Sequence, residues 1–281
     1  MAKYSLLKGT VSQLHVLDDP KELRSDNIGW LALFGFMIIG AFELIATIIG
    51  SLTADSITLK GKTFYCYVGK KEVLGNIEHV SFKEGDYVEM VVKQIDSNQY
   101  QSYAVRMPQY HALYFPRSIG VPTLLKLKFS SIVSGVLCAL CYLIVSIIML
   151  FFVVDESFFS IFIDFTISIF ISFLFLSIII FISMDGRYSF ISNRIYATLG
   201  YPKPWLHSSV EEHDRFKKLN RSGDPELYED PQTPEFERIK KLDPNACYYC
   251  RTPNIPDWVE VIDERGYTPN LKDQKELSIQ D

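Results

Sequence analysis

The hydrophobic residues of this chain are concentrated in three long segments. Residues 28–50, 129–154 and 158–184 are almost wholly apolar, and their only charged residues are Glu43 and Asp164. A helix needs about 20 apolar residues to cross roughly 30 Å of hydrocarbon. A buried helix in a soluble protein seldom runs this long without a polar face. The pattern therefore predicts three transmembrane helices, with Asp164 close to the membrane interface.

The polar parts of the chain have three different characters. Residues 1–27 form a polar leader, and residues 185–281 form a proline-rich polar tail with short helices. Residues 51–128 alternate between apolar and polar positions and are interrupted by turns, as in short strands. So many short strands predict a small barrel of the OB or SH3-like kind. The expected fold class is an α+β membrane protein with three transmembrane helices, an inserted β barrel and a polar tail. The candidate strands are residues 56–60, 62–68, 77–82, 86–95 and 100–107.

The positions of lysine and arginine near the apolar segments indicate an orientation, because cytoplasmic loops carry the excess of these residues. With three crossings, the N-terminus shares one side with residues 155–157, and the nearby cations are Lys8, Lys21 and Arg24. The barrel and the tail share the other side, which is richer in cations. The prediction is a cytoplasmic barrel and tail with the N-terminus outside. The cations on the cytoplasmic side are Lys60, Lys62, Lys70, Arg117, Lys126, Lys128, Arg187, Arg194 and Lys203.

A competing topology starts from residues 7–16 (LKGTVSQLHV), which resemble a short strand. If this strand pairs with the strands after residue 55, residues 28–50 must re-enter the membrane rather than cross it. A segment of this length is too short for a full-height helical hairpin, since each arm needs about 20 residues. A cleaved signal peptide is a further alternative, although the first apolar segment starts late and is long for that role.

Glu43 is the most unusual residue of the apolar segments. An ionised carboxylate in mid-membrane costs at least about 2.5–3.5 kcal/mol, and no Lys, Arg or His lies within the spans to pair with it. A neutral Glu43 in a packing seam, an ion path and a subunit contact all remain open. Intramembrane polar residues Glu43 and Thr47 share a helical stripe with small residues, and the second span has a comparable stripe. Such stripes predict close helix packing. The small residues are Gly40 and Gly50 in the first stripe and Ser131, Ser134, Cys138 and Cys141 in the second.

Few residues outside the apolar segments suggest chemistry. Cys247 and Cys250 have the CxxC spacing of zinc or redox sites, but no second CxxC lies outside the membrane segments to complete a ligand set. His207 and His213 could supplement it, so a metal site competes with unreactive thiols. The chain lacks a glycine-rich phosphate loop, an HExxH motif and a GxSxG motif. We therefore expect no enzymatic activity and no cofactor. Asp and Glu (33) outnumber Lys and Arg (28), which argues against a nucleic-acid partner.

Short motifs across residues 5–205 resemble those of a bacterial family of type VI secretion system effectors. They are LKGTV at 7–11, GDYVEMVV at 85–92, YAVRMP at 103–108, ALYFPRSIG at 112–120, a paired apolar block, and ATLGYP at 197–202. The resemblance implies a bacterial inner-membrane protein in contact-dependent competition, either as a delivered toxin or encoded beside one. It implies no catalytic residues.

Three function hypotheses follow. The first is a non-enzymatic inner-membrane protein associated with type VI secretion and interbacterial competition, which acts by membrane insertion and helix assembly. Its partners are then the lipid bilayer and a protein partner or a second copy of the chain. The second is an immunity or scaffold protein that binds a partner through the β domain and tail. The third is a metal- or redox-responsive membrane sensor that uses Cys247 and Cys250.

Overall fold

The computed structural model describes residues 4–17, 61–116, 119–152, 158–184, 186–233, 236 and 238–266. The strands in this part of the chain are β1 (Ser5–Leu17), β2 (Lys62–Val68), β3 (Lys71–Ile77), β4 (Tyr87–Gln94), β5 (Gln99–Met107), β6 (Ala112–Tyr114), β7 (Cys247–Tyr248) and β8 (Glu260–Asp263). The helices are α1 (Thr123–Phe152), α2 (Phe158–Ser183), α3 (Gly186–Thr198), α4 (Ser209–Ser222) and α5 (Pro225–Tyr228).

Strands β1 to β5 close into a barrel. Antiparallel pairs join β1 to both β2 and β4, β2 to β3, and β4 to β5, and a parallel pair between β3 and β5 completes the circle. The strand order β1-β2-β3-β5-β4 is the arrangement of an OB barrel. Alternate residues of β4, Val88, Met90 and Val92, are fully buried in the core cluster that fills the barrel. The predicted small β barrel within an α+β protein is therefore confirmed.

The N-terminal strand changes the predicted topology. β1 comes from the predicted leader, yet Leu17 is the strand partner of Thr63 and Val11 is the partner of Val68. The side chains of Leu7 and Val11 are buried in the barrel core. Paired strands lie only about 4.8 Å apart, so the leader and the barrel must be on the same side of any membrane. Placing the N-terminus across the membrane from the barrel, with one crossing between them, was wrong. Residues 28–50 themselves lie outside the described residues.

The C-terminal tail is folded onto the barrel as far as residue 266. β7 pairs antiparallel with β6, and β8 runs parallel to β1, with Ser5 opposite Glu260. α3 packs on the outer face of the barrel wall, where Leu6 and Val91 meet Ile195 and Tyr196 in a second core cluster. The described part of the tail contains the short helices α3, α4 and α5, and it also contributes the strands β7 and β8. We call residues 4–17, 61–116 and 186–266, as far as described, the composite domain.

The other two apolar segments form long helices. Among the described residues, two helices are long and apolar enough to cross a membrane, over Thr123–Phe151 and Ser160–Ser183, and only 6% of the apolar window of each is buried. They run antiparallel, because Ser130 donates a hydrogen bond to the carbonyl of Ser177 while the ring of Tyr142 stacks on Phe165 further along. We call α1 and α2 together the hairpin. α1 begins earlier than the predicted residue 129, since Pro122 precedes it and the leucines after it continue the helical pattern.

Candidate functional site

Three charged side chains lie side by side on the outer face of the barrel wall. Lys8 of β1 is the strand partner of Glu89 on β4, and Glu89 is the partner of Arg106 on β5. Alternate side chains of a strand point to opposite faces. Because Val88 and Met90 point into the barrel, Glu89 points outward, beneath the C-terminal tail. We call Lys8, Glu89 and Arg106 the polar row.

The polar row is an ion-paired network in which Glu89 and Arg106 are buried and Lys8 is half-buried. Arg106 is fully buried, its Nε donates to Oε2 of Glu89 at 2.7 Å, and its Nη2 pairs with the same oxygen. Nζ of Lys8 lies 3.0 Å from Oε1 of Glu89, to which the Tyr87 hydroxyl also donates. Burial raises the pKa of Glu89, but Arg106 and Lys8 outweigh burial, so its pKa lies below the usual value. The carboxylate is therefore ionised at neutral pH.

A cavity of about 410 Å³ opens over the polar row. Lys8 and Arg265 give it two cationic side chains, and Arg265 is itself paired with Asp263 through Nε at 2.9 Å. The volume falls within the range of small-molecule sites. Such a lining has the chemistry to hold a small polar or anionic group. The lining residues are Lys8, Tyr87, Glu89, Pro108, Gln232, Thr252 and Arg265.

A buried histidine lies where the tail meets the barrel. The ring of His111 stacks between Phe236, at a centroid distance of 4.1 Å, and Tyr249, at 5.0 Å. Its Nε2 is 2.7 Å from the Thr233 hydroxyl, and its Nδ1 is 3.2 Å from the carbonyl of Tyr249. Burial lowers the pKa of His111 to about 4, although nearby Asp230 opposes this shift. A neutral, fully enclosed imidazole with both nitrogens engaged supports the tail and is poorly placed to act as a general base.

We expect His111 to make the composite domain sensitive to acid. Its pKa is lower in the folded chain, about 4, than the ordinary histidine value of 6.5, so the unfolded chain takes up the proton first as the pH falls. Stability should therefore decrease by up to about 3 kcal/mol between pH 6.5 and 4. Urea unfolding in detergent micelles, followed by tryptophan fluorescence at pH 7 and pH 5, measures this loss.

The H111Q variant should lose most of this pH dependence, whereas substitution of the exposed His79 by Gln should retain it. If H111Q and the wild-type chain lost the same stability between the two pH values, the assignment of the acid sensitivity to His111 would be wrong.

The predicted packing stripe on the second span agrees only in part with the hairpin seam. Ser134 is buried and donates to the carbonyl of Ser130 at 2.9 Å, while Ser131 and Cys138 are half-buried. Cys141 is exposed on the outer surface of α1. The residues of α1 that face α2 recur every four positions, whereas the predicted stripe alternated between spacings of three and four. The residues at that spacing are Ser130, Ser134, Cys138 and Tyr142.

The residues predicted in the first apolar segment, Gly40, Glu43, Thr47 and Gly50, all lie outside the described residues. Their proposed roles in packing or in an intramembrane polar site stay predictions.

The CxxC motif lies against α4. Cys250 is buried, with its Sγ 3.9 Å from the carbonyl of Glu212, and burial raises the pKa of its thiol to about 11. Burial also raises the pKa of Cys247. His213 accepts a hydrogen bond from the backbone of Tyr248. Within the described part of the chain, no three His, Cys, Asp or Glu side chains are grouped to hold a metal ion. The metal hypothesis therefore gains no support from the geometry.

The polar row and His111 were missed by sequence reasoning. The alternation of DYVEMVV places Glu89 on the face opposite Val88 and Met90, and YAVRMP does the same for Arg106. That signal indicates an outward-facing charge on each strand. It does not reveal that the two charges are neighbours, because strand pairing is non-local.

A scan against protein-family models, a search of curated proteins and a search of solved structures each give no match to this chain. Its function is therefore inferred from the geometry described above.

Proposed function

We propose that this chain is a non-enzymatic bacterial inner-membrane protein associated with type VI secretion and competition between bacteria. In this proposal, the hairpin anchors the composite domain at the membrane surface, where the domain binds a protein partner as an immunity or scaffold protein. One observation carries the membrane-anchoring part of the proposal: two exposed apolar helices leave one packed polar domain and return to it.

Exposure of the hairpin supports its role as the membrane anchor. Leu150, Phe151 and Phe170 are 70%, 77% and 62% exposed, and most other apolar side chains of α1 and α2 are exposed too. Soluble monomers rarely expose apolar patches larger than a few hundred Å². The two common alternatives fit poorly, because a soluble core helix would be mostly buried and a signal sequence would lie near the N-terminus. Lipid is the solvent that suits this surface.

We further propose two crossings with every polar region on one side. β1, the barrel and the tail share one folded domain, and the hairpin starts and ends there. The connection at 153–157 contains Asp155 and Glu156 and no Lys or Arg, whereas the hairpin base is rich in cations. The excess of cations favours the cytoplasm for the composite domain. The cations at the base are Lys126, Lys128, Arg187, Arg194 and Lys203.

Partner binding has more support than permeation. The buried hydroxyls of Ser130 and Ser134 both bond to carbonyl groups within the hairpin. These two side chains are therefore used in packing α1 against α2 and do not face a water-filled path between copies. The folded composite domain, in contrast, contains most of the chain. The resemblance of residues 5–205 to type VI effector proteins supports a place in bacterial competition, and an immunity or scaffold role fits an anchored domain.

A competition assay tests this function. We expect a deletion strain to be killed when it is mixed with its own parent strain, and to survive when the parent lacks the type VI sheath. Wild-type protein should restore survival. A variant with Leu140→Asp and Ile171→Asp, two exposed positions in the hairpin, should not restore it, because each charge costs a few kcal/mol at mid-membrane.

The matched control carries Leu74→Asp, an exposed position on β3, and should protect. Loss of killing by the deletion strain when it is the attacker would instead indicate a delivered toxin. If the deletion changed neither the survival of the strain as prey nor its killing as attacker, the association with type VI competition would be contradicted.

A further inference from the structure

Five exposed apolar side chains lie where the hairpin joins the composite domain. Leu124 and Leu127 occupy the first turns of α1, and Trp205 and Leu206 lie in the loop before α4. The two segments are in direct contact, because the backbone N–H of Leu124 donates to the carbonyl of Trp205 at 3.1 Å. Phe190 of α3 is the fifth. Their exposed fractions lie between 42% and 56%. We call these five residues the junction surface.

α3 turns away from the hairpin and passes beneath its base. Antiparallel packing places the end of α2 level with the start of α1. Thr123, at that level, nevertheless contacts residues well inside α3: its backbone N–H donates to Asn193, and Ser189 donates to its hydroxyl. α3 therefore does not continue along the axis of α2. It crosses the base, with Ile191 and Ile195 buried toward the barrel and Phe190 exposed.

The junction surface lies at the depth of a headgroup layer. α1 has 30 residues, which makes it about 45 Å long, while the hydrocarbon core is about 30 Å thick. If hydrocarbon begins near Phe129, Leu124 lies roughly 7 Å outside it, at 1.5 Å per residue. This depth falls in the interfacial layer where tryptophan is enriched. Trp205, hydrogen-bonded to Leu124, lies at the same level.

The charges near the junction surface suit an acidic leaflet. Lys128 of α1 and Lys203, two residues before Trp205, are exposed. The nearby acids are Glu211, which is exposed, and Glu212, whose Oε2 lies 3.0 Å from Nε2 of His207. Exposed cations beside a tryptophan are the usual side chains of a cytoplasmic membrane interface.

Resting on the proposed membrane anchor, we propose that the junction surface inserts among the headgroups of acidic phospholipids. This contact holds the composite domain against the membrane in one orientation, beyond the tethering that the hairpin alone provides. The occupant is the lipid leaflet itself, because the surface is continuous with the two spans.

Tryptophan quenching in nanodiscs tests the proposal with single-tryptophan variants of the full chain. One variant keeps Trp205 and carries Trp30→Phe and Trp258→Phe. Two others replace all three tryptophans by Phe and add either Leu140→Trp, on the lipid-facing side of α1, or Leu74→Trp, on the barrel wall away from α3. With acyl-brominated lipids, we expect Leu140→Trp to lose roughly half of its emission or more, Trp205 at the interface to lose a smaller but measurable fraction, and Leu74→Trp to lose little.

The single-tryptophan variants distinguish a failure of the proposed hairpin anchor from a failure of the proposed lipid contact at the junction surface. If Leu140→Trp is quenched and Trp205 is not, the hairpin spans the bilayer but the junction surface does not contact it, and this inference fails. If Leu140→Trp is not quenched, the proposed anchor fails and this inference fails with it. Brominated phosphatidylglycerol should quench Trp205 more strongly than brominated phosphatidylcholine at equal mole fraction. The double substitution Lys128→Gln with Lys203→Gln should abolish that difference. If the two brominated lipids quenched Trp205 equally in the chain that keeps both lysines, the preference for acidic lipid would be contradicted.

Discussion

Replacing Glu89 by alanine should destabilise the composite domain by about 3–5 kcal/mol. Arg106 is fully buried and its guanidinium pairs with Glu89. The substitution would leave this cation in the protein interior without a counter-ion, because Lys8, the other charge of the polar row, has the same sign. Urea unfolding in detergent micelles at pH 7, followed by tryptophan fluorescence, measures the change.

Two controls separate the buried charge from a simple loss of contacts. Replacing both partners, Glu89→Leu with Arg106→Leu, should recover much of the stability, since an apolar pair leaves no unpaired charge. Asp263→Asn breaks an exposed ion pair with Arg265 and should cost less than about 1 kcal/mol. If Glu89→Ala were no more damaging than Asp263→Asn, the polar row would not stabilise the wall beneath the tail.

The same ion pair should make Glu89 contribute to acid unfolding. Arg106 and Lys8 hold the pKa of Glu89 below the ordinary glutamate value of 4.5. Its stabilisation is therefore fully present above about pH 4.5 and is lost as the pH falls through the lower, folded-state pKa. The pH range over which Glu89 loses its stabilisation therefore lies below the range expected for His111.

Gly200→Ala should be the second strongly destabilising substitution, with a loss at least about 2 kcal/mol larger than that of a matched glycine. Gly200 has a φ of +89°, and a Cβ at this position would overlap the carbonyl of Asn254. The loop that carries Asn254 would have to move away from the end of α3. Gly223→Ala is the control, because its φ of +70° imposes similar strain but nothing lies within 4 Å of the added Cβ.

Unfolding of both glycine variants under the same conditions decides the matter. Equal losses for Gly200→Ala and Gly223→Ala would mean that only backbone strain is at work, and that the tail does not pack closely on α3.

Local patterns in the sequence were sufficient to predict several elements of the fold. The strand predicted at 62–68 is β2, and those predicted at 86–95 and 100–107 correspond to β4 and β5 within a residue or so. They were recognisable because alternation within one strand is a local property. β3 was missed, since its sequence KEVLGNI mixes charged and apolar residues, and the candidate at 77–82 only touches its last residue.

Pairings between distant segments were not predictable in this way. β1 looks like an isolated strand in the sequence, and only its contacts with β2 and β4 show that it belongs to the barrel. The same holds for β8, which joins β1 from the opposite end of the chain. The polar row was not predictable for the same reason, because Lys8, Glu89 and Arg106 become neighbours only when β1, β4 and β5 pair.

The account depends most on the side of the membrane that each part of the chain occupies. Green fluorescent protein fused to the N-terminus, and separately to the C-terminus, reports a cytoplasmic location by its fluorescence. Alkaline phosphatase inserted between Asp155 and Glu156 reports a periplasmic location by its activity. We predict fluorescence from both terminal fusions and phosphatase activity from the insertion. A dark N-terminal fusion beside a fluorescent C-terminal fusion would place β1 across the membrane from the barrel, which would contradict the single composite domain.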